Sequence, residues 1–128
     1  MDRKILASAA FFGASAVILG AFGAHKLKEL LSPEMLTSFE TGVRYQMYHA
    51  FLLLFVGMYG GISAKAKQAV YWLVTLGILF FSLSIYLLST SAISGINFKP
   101  IGFVTPIGGL LLIVGWFWLF VDFMRKKA

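Results

Sequence analysis

The chain has 128 residues, of which 59% are hydrophobic and only 12% charged, and its mean hydropathy of +0.86 lies outside the range of soluble globular proteins. That composition implies a single-domain integral membrane protein. The lack of cysteine excludes a disulfide framework, a thiolate metal site and a Cys nucleophile, and the net charge of +6 sits in short clusters beside apolar runs, without the basic and aromatic interleaving of a nucleic-acid-binding surface.

Four apolar segments have the roughly 20 residues that a helix needs to cross about 30 Å of hydrocarbon. The first runs approximately from Ile5 to Ala24. Its length favours a membrane span over a cleaved secretory signal, although "DRK" precedes it and small residues follow. Along it Ala9, Gly13, Ala16, Gly20 and Gly23 fall at alternating spacings of four and three, a stripe over which another backbone can approach closely. His25 closes the segment in "GAFGAHKL". In the polar stretch that follows, Ser32 before Pro33 reads as an N-cap and first-turn pair, and Thr37 with Glu40 has capping-box spacing. A short helix is therefore expected in this first extracytoplasmic loop, either lying on the membrane surface and bending near Gly42 or continuing straight into the second span. On the straight alternative Glu40 and Arg44 share a face as a solvated pair.

The second segment, Val43 to Ser63, carries Gln46 and His49 on one face with Leu53 and Gly57. A basic turn, "SAKAKQ", leads to the third, Ala69 to Thr90, where Ser82, Tyr86 and Ser89 follow a spacing of four and three, and Gly77, Ser84 and Ser91 recur every seven residues. The fourth runs from Thr105 to Phe123, with Gly108 and Gly115 seven apart. Thr105 and Pro106 are read as its N-cap and first helical position, leaving free N–H groups in "TPIGG" of the kind that bind anions. Near its end Asp122 is expected to pair with the basic tail.

An even number of spans puts both termini on one side. That side holds Arg3, Lys4, Lys65, Lys67, Arg125, Lys126 and Lys127 against Lys26, Lys28, Arg44 and Lys99 on the other, so both termini are expected in the cytoplasm of a multi-pass protein of the cell membrane. At about 1.5 Å of rise per residue, His25, Gln46, His49, Ser82, Tyr86, Ser89 and Thr105 all fall in the outer half. In lipid each polar group must find a partner or face an interior cavity. The expected fold is thus an all-α antiparallel bundle of four transmembrane helices with one buried polar cluster joining His25 and His49 through Gln46, Tyr86 or Thr105.

The blocks "GAFGAHKLKE", "YQMYHAFLLL", "FSLSIYLLS" and "TPIGGLLLIVGW", in this order over nearly the whole chain, resemble the domain-of-unknown-function 423 family, small four-span membrane proteins with an animal relative, transmembrane protein 256. The resemblance implies the fold and topology and no reaction. Where family members often read "FSGSLY", this chain has Leu83 in place of the glycine, which removes a point of close helix approach.

These residues favour a structural or binding module with His25, Gln46, His49, Ser82, Tyr86 and Thr105 as candidate contacts for a lipid head group or small amphiphile. Membrane lipid and further copies of the chain are the expected partners, and no cofactor is implied. Two alternatives stay open. One is a small oligomeric transporter or channel component, which lacks the carboxylate in spans one to three that proton-coupled cation export wants. The other is a metal or haem held by both histidines, which suits neutral imidazole but lacks an HxxxH pair and places the two at depths about 9 Å apart. An enzyme is least supported, since no carboxylate stands beside the His, Ser and Tyr side chains to orient them.

Overall fold

In the computed structural model, residues 2–125 are described. All regular structure among them is helical, with no strand. The first helix, α1 (Asp2–Leu30), meets no proline and continues through a π-helical turn at Gly23–Leu27. It stops because Ser32 precedes Pro33: a residue before proline is driven out of the helical region, and Ser32 is extended, with its hydroxyl accepting from the Met35 N–H at 3.2 Å. From Pro33 a single helix, α2 (Pro33–Met58), runs without interruption. Of the two expected courses for the loop helix, the straight one holds: the helix that Ser32 caps continues into the second span without a bend at Gly42, and the polar stretch is divided between the end of α1 and the first turns of α2. Thr37, expected to open a capping box, lies inside α2 with its hydroxyl on the Pro33 carbonyl.

The second helix ends at Met58, five residues before the expected boundary, where Tyr59 turns extended ahead of Gly60 and Gly61. Ser63 then caps α3 (Ala64–Ser89) by accepting from the Ala66 N–H at 3.2 Å. A second π-helical turn lies within α3 at Leu79–Leu83. A one-turn helix closed by Gly95 at φ 74 and a 3-10 turn at Lys99–Ile101 lead into α4 (Val104–Met124).

Three helices are long and apolar enough to cross a membrane: α1, α3, and the helical run from Lys99 to Met124. The expected fourth, α2, has the length but not the hydropathy, because Arg44, Gln46 and His49 dilute its middle.

Each long helix packs antiparallel on the next. Along α1 and α2, Gly23 faces Phe39, Gly20 faces Val43, Gly13 faces Ala50, and Gly57 faces Leu6. Along α3 and α4, Gly108 faces Phe81, Gly77 faces Leu112, and Gly115 faces Val74. The small-residue stripes thus close within one chain. Ile5, Leu53, Val56, Val70 and Val74, all essentially inaccessible, form the core where α1, α2 and α3 meet, with Leu112 and Leu119 of α4 completing it. A smaller cluster of Leu27, Leu31 and Phe39 seals the α1–α2 pair at the end where α1 turns into α2. Outward-facing Phe11, Ile18, Leu110 and Phe117 remain exposed, as an apolar solvent permits.

Candidate functional site

The Ser82 and Tyr86 side chains are positioned by the π-helical turn in α3. A π turn inserts one residue into the helical count and re-aims the side chains around it. Here Ser82, 1% exposed, is turned toward α2 and donates to the Gly42 carbonyl at 2.8 Å. One turn on, the Tyr86 hydroxyl donates to Gln46 Oε1 at 2.7 Å. Gln46 is buried, and its amide nitrogen donates both to the Phe12 carbonyl and to Ser15 Oγ, each at 2.8 Å. One side chain on α2 therefore ties α1 and α3 together. Ser84, on the other face of α3, bonds Thr105 of α4 at 2.6 Å.

His49, also buried, has both ring nitrogens engaged. Nδ1 lies 2.7 Å from the Tyr45 carbonyl, and Nε2 lies 3.0 Å from the indole nitrogen of Trp116 on α4. An indole N–H only donates, so Nε2 accepts and Nδ1 carries the proton. The arrangement selects one neutral tautomer and holds α2 against α4.

The outcome for the expected cluster is mixed. Gln46, Tyr86 and Ser82 come together at the α1–α2–α3 junction, while His49 joins α2 to α4 and Thr105 joins α4 to α3, each separately. His25 does not join them. It is exposed, with Nδ1 donating to the Ala21 carbonyl of its own helix at 2.8 Å. The π-helical turn at Gly23–Leu27 is the reason: it buries Gly23 and Leu27 and leaves the intervening imidazole facing out. The shared bis-histidine site is thereby corrected, since His49 has no free nitrogen for a metal and no group of three or more His, Cys, Asp or Glu is suited to a metal among the described residues. Thr105 is likewise not an N-cap. Helix α4 starts one residue earlier, and the Thr105 hydroxyl is turned to Ser84.

Two polar contacts at the opposite end escaped the sequence. Ser8 and Tyr71 are hydrogen-bonded at 2.8 Å between α1 and α3. Asp122 accepts from the Ser63 N–H and hydroxyl at 3.1 and 2.7 Å, fixing the start of α3 to the end of α4. Of the basic tail expected to pair with it, Lys126 and Lys127 lie outside the described residues. Seryl and tyrosyl groups 63 residues apart carry no local spacing signal, so only the folded chain reveals the first pair.

The two histidines should differ sharply on truncation. His49→Ala removes the Trp116 acceptor and should destabilise the protein in detergent by about 1–3 kcal/mol, whereas His25→Ala should stay within about 0.5 kcal/mol. The double variant should show the sum of the singles, as expected for sites without shared partners. Thermal unfolding of the four proteins decides it, and a non-additive pair would restore the joint cluster.

The chain matches, over residues 19–109, the family described as "Protein of unknown function (DUF423)". It is 44% identical over 106 residues to the UPF0382 membrane protein SSP2132 of Staphylococcus saprophyticus, covering 83% of this chain and 84% of that protein. It is 42% identical over 106 residues to the UPF0382 membrane protein SAB0533 of Staphylococcus aureus, with 83% of each covered. The corresponding protein SH2409 of Staphylococcus haemolyticus is 41% identical over 103 residues, 80% of each. No solved structure gives a significant match. A family match over well more than half of the sequence, joined by relatives of this identity that are named membrane proteins, carries one conclusion: the chain belongs to the DUF423 family of proteins of unknown function.

Proposed function

We propose that the chain is a non-catalytic membrane module that crosses the bilayer four times, with both termini in the cytoplasm, and that its outer polar residues lock the bundle and do not form an open ligand pocket. The observation that carries this reading is the Gln46 amide, whose two ends are consumed by Phe12, Ser15 and Tyr86. A pocket for a head group or amphiphile presents unpaired donors and acceptors to its guest. Here those groups face one another. A channel or transporter reading finds no support in a polar cluster closed by its own hydrogen bonds, and the small-residue seams that would join further copies are used within the chain.

Support for α2 as a fourth crossing comes from its packing. It accompanies α1 from the Gly23–Phe39 contact to the Leu6–Gly57 contact, a length of about 27 Å at 1.5 Å per residue. A helix held that way against a crossing helix traverses the same thickness, and its buried polar groups are supplied with partners there. The native chain has no cysteine, so single replacements give clean labelling. Cysteines at Lys28 and Lys99, both exposed, should react with an impermeant thiol reagent added outside intact cells, and one at exposed Lys65 should not. Labelling of Lys65→Cys with protection of Lys99→Cys would mean that α2 does not cross.

A further inference from the structure

A cavity lies away from the polar cluster, at the end of the molecule where the chain's positive charge collects. It is a groove of about 510 Å³ between the start of α3 and the last turns of α4. Its walls are apolar: Ala66 on one side and Ile113, Val114, Phe117, Trp118 and Val121 on the other. Its polar lining gathers toward one end, where Ser63 and Lys65 begin α3 and Asp122 and Arg125 end α4.

The charge at this end is divided unequally. Lys67 is ion-paired with Asp2 at 3.2 Å, and the Lys4 ammonium sits 4.8 Å over the Trp72 ring. Lys65 and Arg125 are exposed and form no ion pair among the described residues. Asp122, also in the lining, is only 4% exposed and accepts from the Ser63 N–H and hydroxyl, whereas both cations are exposed.

We propose that this groove holds one anionic phospholipid, with an acyl chain lying along α4 and the phosphate between Lys65 and Arg125. The fit has two parts that no simpler occupant supplies together. A zwitterionic lipid uses the walls but brings a cation of its own to the two already there; a soluble anion uses the cations and leaves the walls bare. From Arg125 back to Ile113 the groove follows α4 for about 18 Å, close to the hydrocarbon depth of one leaflet, roughly 15 Å. Basic side chains at the membrane surface attract anionic lipid, and guanidinium in particular forms paired hydrogen bonds with phosphate. The site lies at the opposite end from the polar cluster and goes beyond the structural role proposed above, on which only the identity of the leaflet depends.

Native mass spectrometry of the purified full chain in detergent tests it, with phosphatidylglycerol and phosphatidylcholine of identical chains added in equal amounts. The expected result is one preferentially retained phosphatidylglycerol. Each surface cation is worth roughly fivefold toward anionic lipid, so Lys65→Gln with Arg125→Gln should cut its retention about twentyfold, while Lys28→Gln with Lys99→Gln should change nothing. Val121→Phe, which fills the wall and leaves the charges, should lower retention too. Excess glycerol phosphate should not compete. Equal retention of the two lipids, unchanged retention in the Lys65 and Arg125 double variant, or displacement by glycerol phosphate would each overturn the proposal.

Discussion

Replacing Gly108 with alanine should remove most of the folded protein from detergent extracts, although the change adds a single methyl group. A Cβ at this position would collide with the Phe81 amide nitrogen and stand 2.7 Å from the Phe80 carbonyl carbon. Both are backbone atoms, so no rotamer change relieves the clash; α3 and α4 must separate. Overpacking typically costs about 1–3 kcal/mol, and the lack of a yielding side chain puts this site at the upper end. Separation would also break the Ser84–Thr105 bond next to it. Gly13→Ala is the control, because its nearest neighbour would be the Ala50 Cβ at 3.9 Å, an ordinary contact. Thermal unfolding and the yield of monodisperse protein compare the two, and equal tolerance would show that α3 and α4 do not meet at Gly108.

The contrast between these glycines shows what the sequence makes legible. Stripes at spacings of three, four and seven mark which faces pack, and the faces read for α1, α3 and α4 are the ones buried. Spacing carries no measure of how closely two backbones come. The conspicuous five-residue stripe on α1 includes a loose contact at Gly13, while the tightest approach is at Gly108, one of only two glycines in its seven-residue repeat. That approach depends on the π-helical turn at Leu79–Leu83, which presents the α3 backbone to Gly108 on one side and, three residues on from Leu83, places Tyr86 beside Gly42 of α2, where an added Cβ would lie 2.8 Å from the ring. A π turn has no residue signature comparable to proline or an N-cap. Leu83, standing where the family pattern has glycine, is half exposed, so the larger residue meets no neighbouring backbone.

The same cause separates the two histidines. Gln46 and His49 lie in an uninterrupted helix, where a period of 3.6 residues puts them on the buried face, and Ser82 and Tyr86 are turned inward by the π-helical turn of α3. His25 lies inside the other π turn, where extrapolating the α1 stripe past Gly23 puts the imidazole on the wrong side. Thr105 was misread for a different reason. Its hydroxyl has two competing claims, the free N–H groups of its own helix start and Ser84 on α3, and only the tertiary contact decides between them.

Gln46→Leu should be the most damaging change to the polar cluster, and the way it combines with Tyr86→Phe tests what the cluster is for. Leucine keeps most of the buried volume but removes the acceptor for the Tyr86 hydroxyl and both donors to α1. A stranded buried polar group costs about 1–3 kcal/mol, so a loss of about 2 kcal/mol is expected for the single change. Tyr86→Phe leaves one Gln46 lone pair unused and should cost less, about 1 kcal/mol on the same scale. In the double variant neither side chain is stranded, and the loss should fall short of the sum. Interhelical hydrogen bonds measured by such cycles in membranes average about 0.6 kcal/mol and reach about 1.7; full burial of Gln46 places this one in the upper part of that range. Unfolding free energies of the four proteins, measured without added lipid or any small molecule, give the coupling directly. A positive coupling in the empty protein is what an internal lock requires. A Gln46→Leu protein as stable as the native chain would instead mean that this amide is held for a guest, because a hydrogen bond kept for a ligand contributes nothing to folding in the ligand's absence.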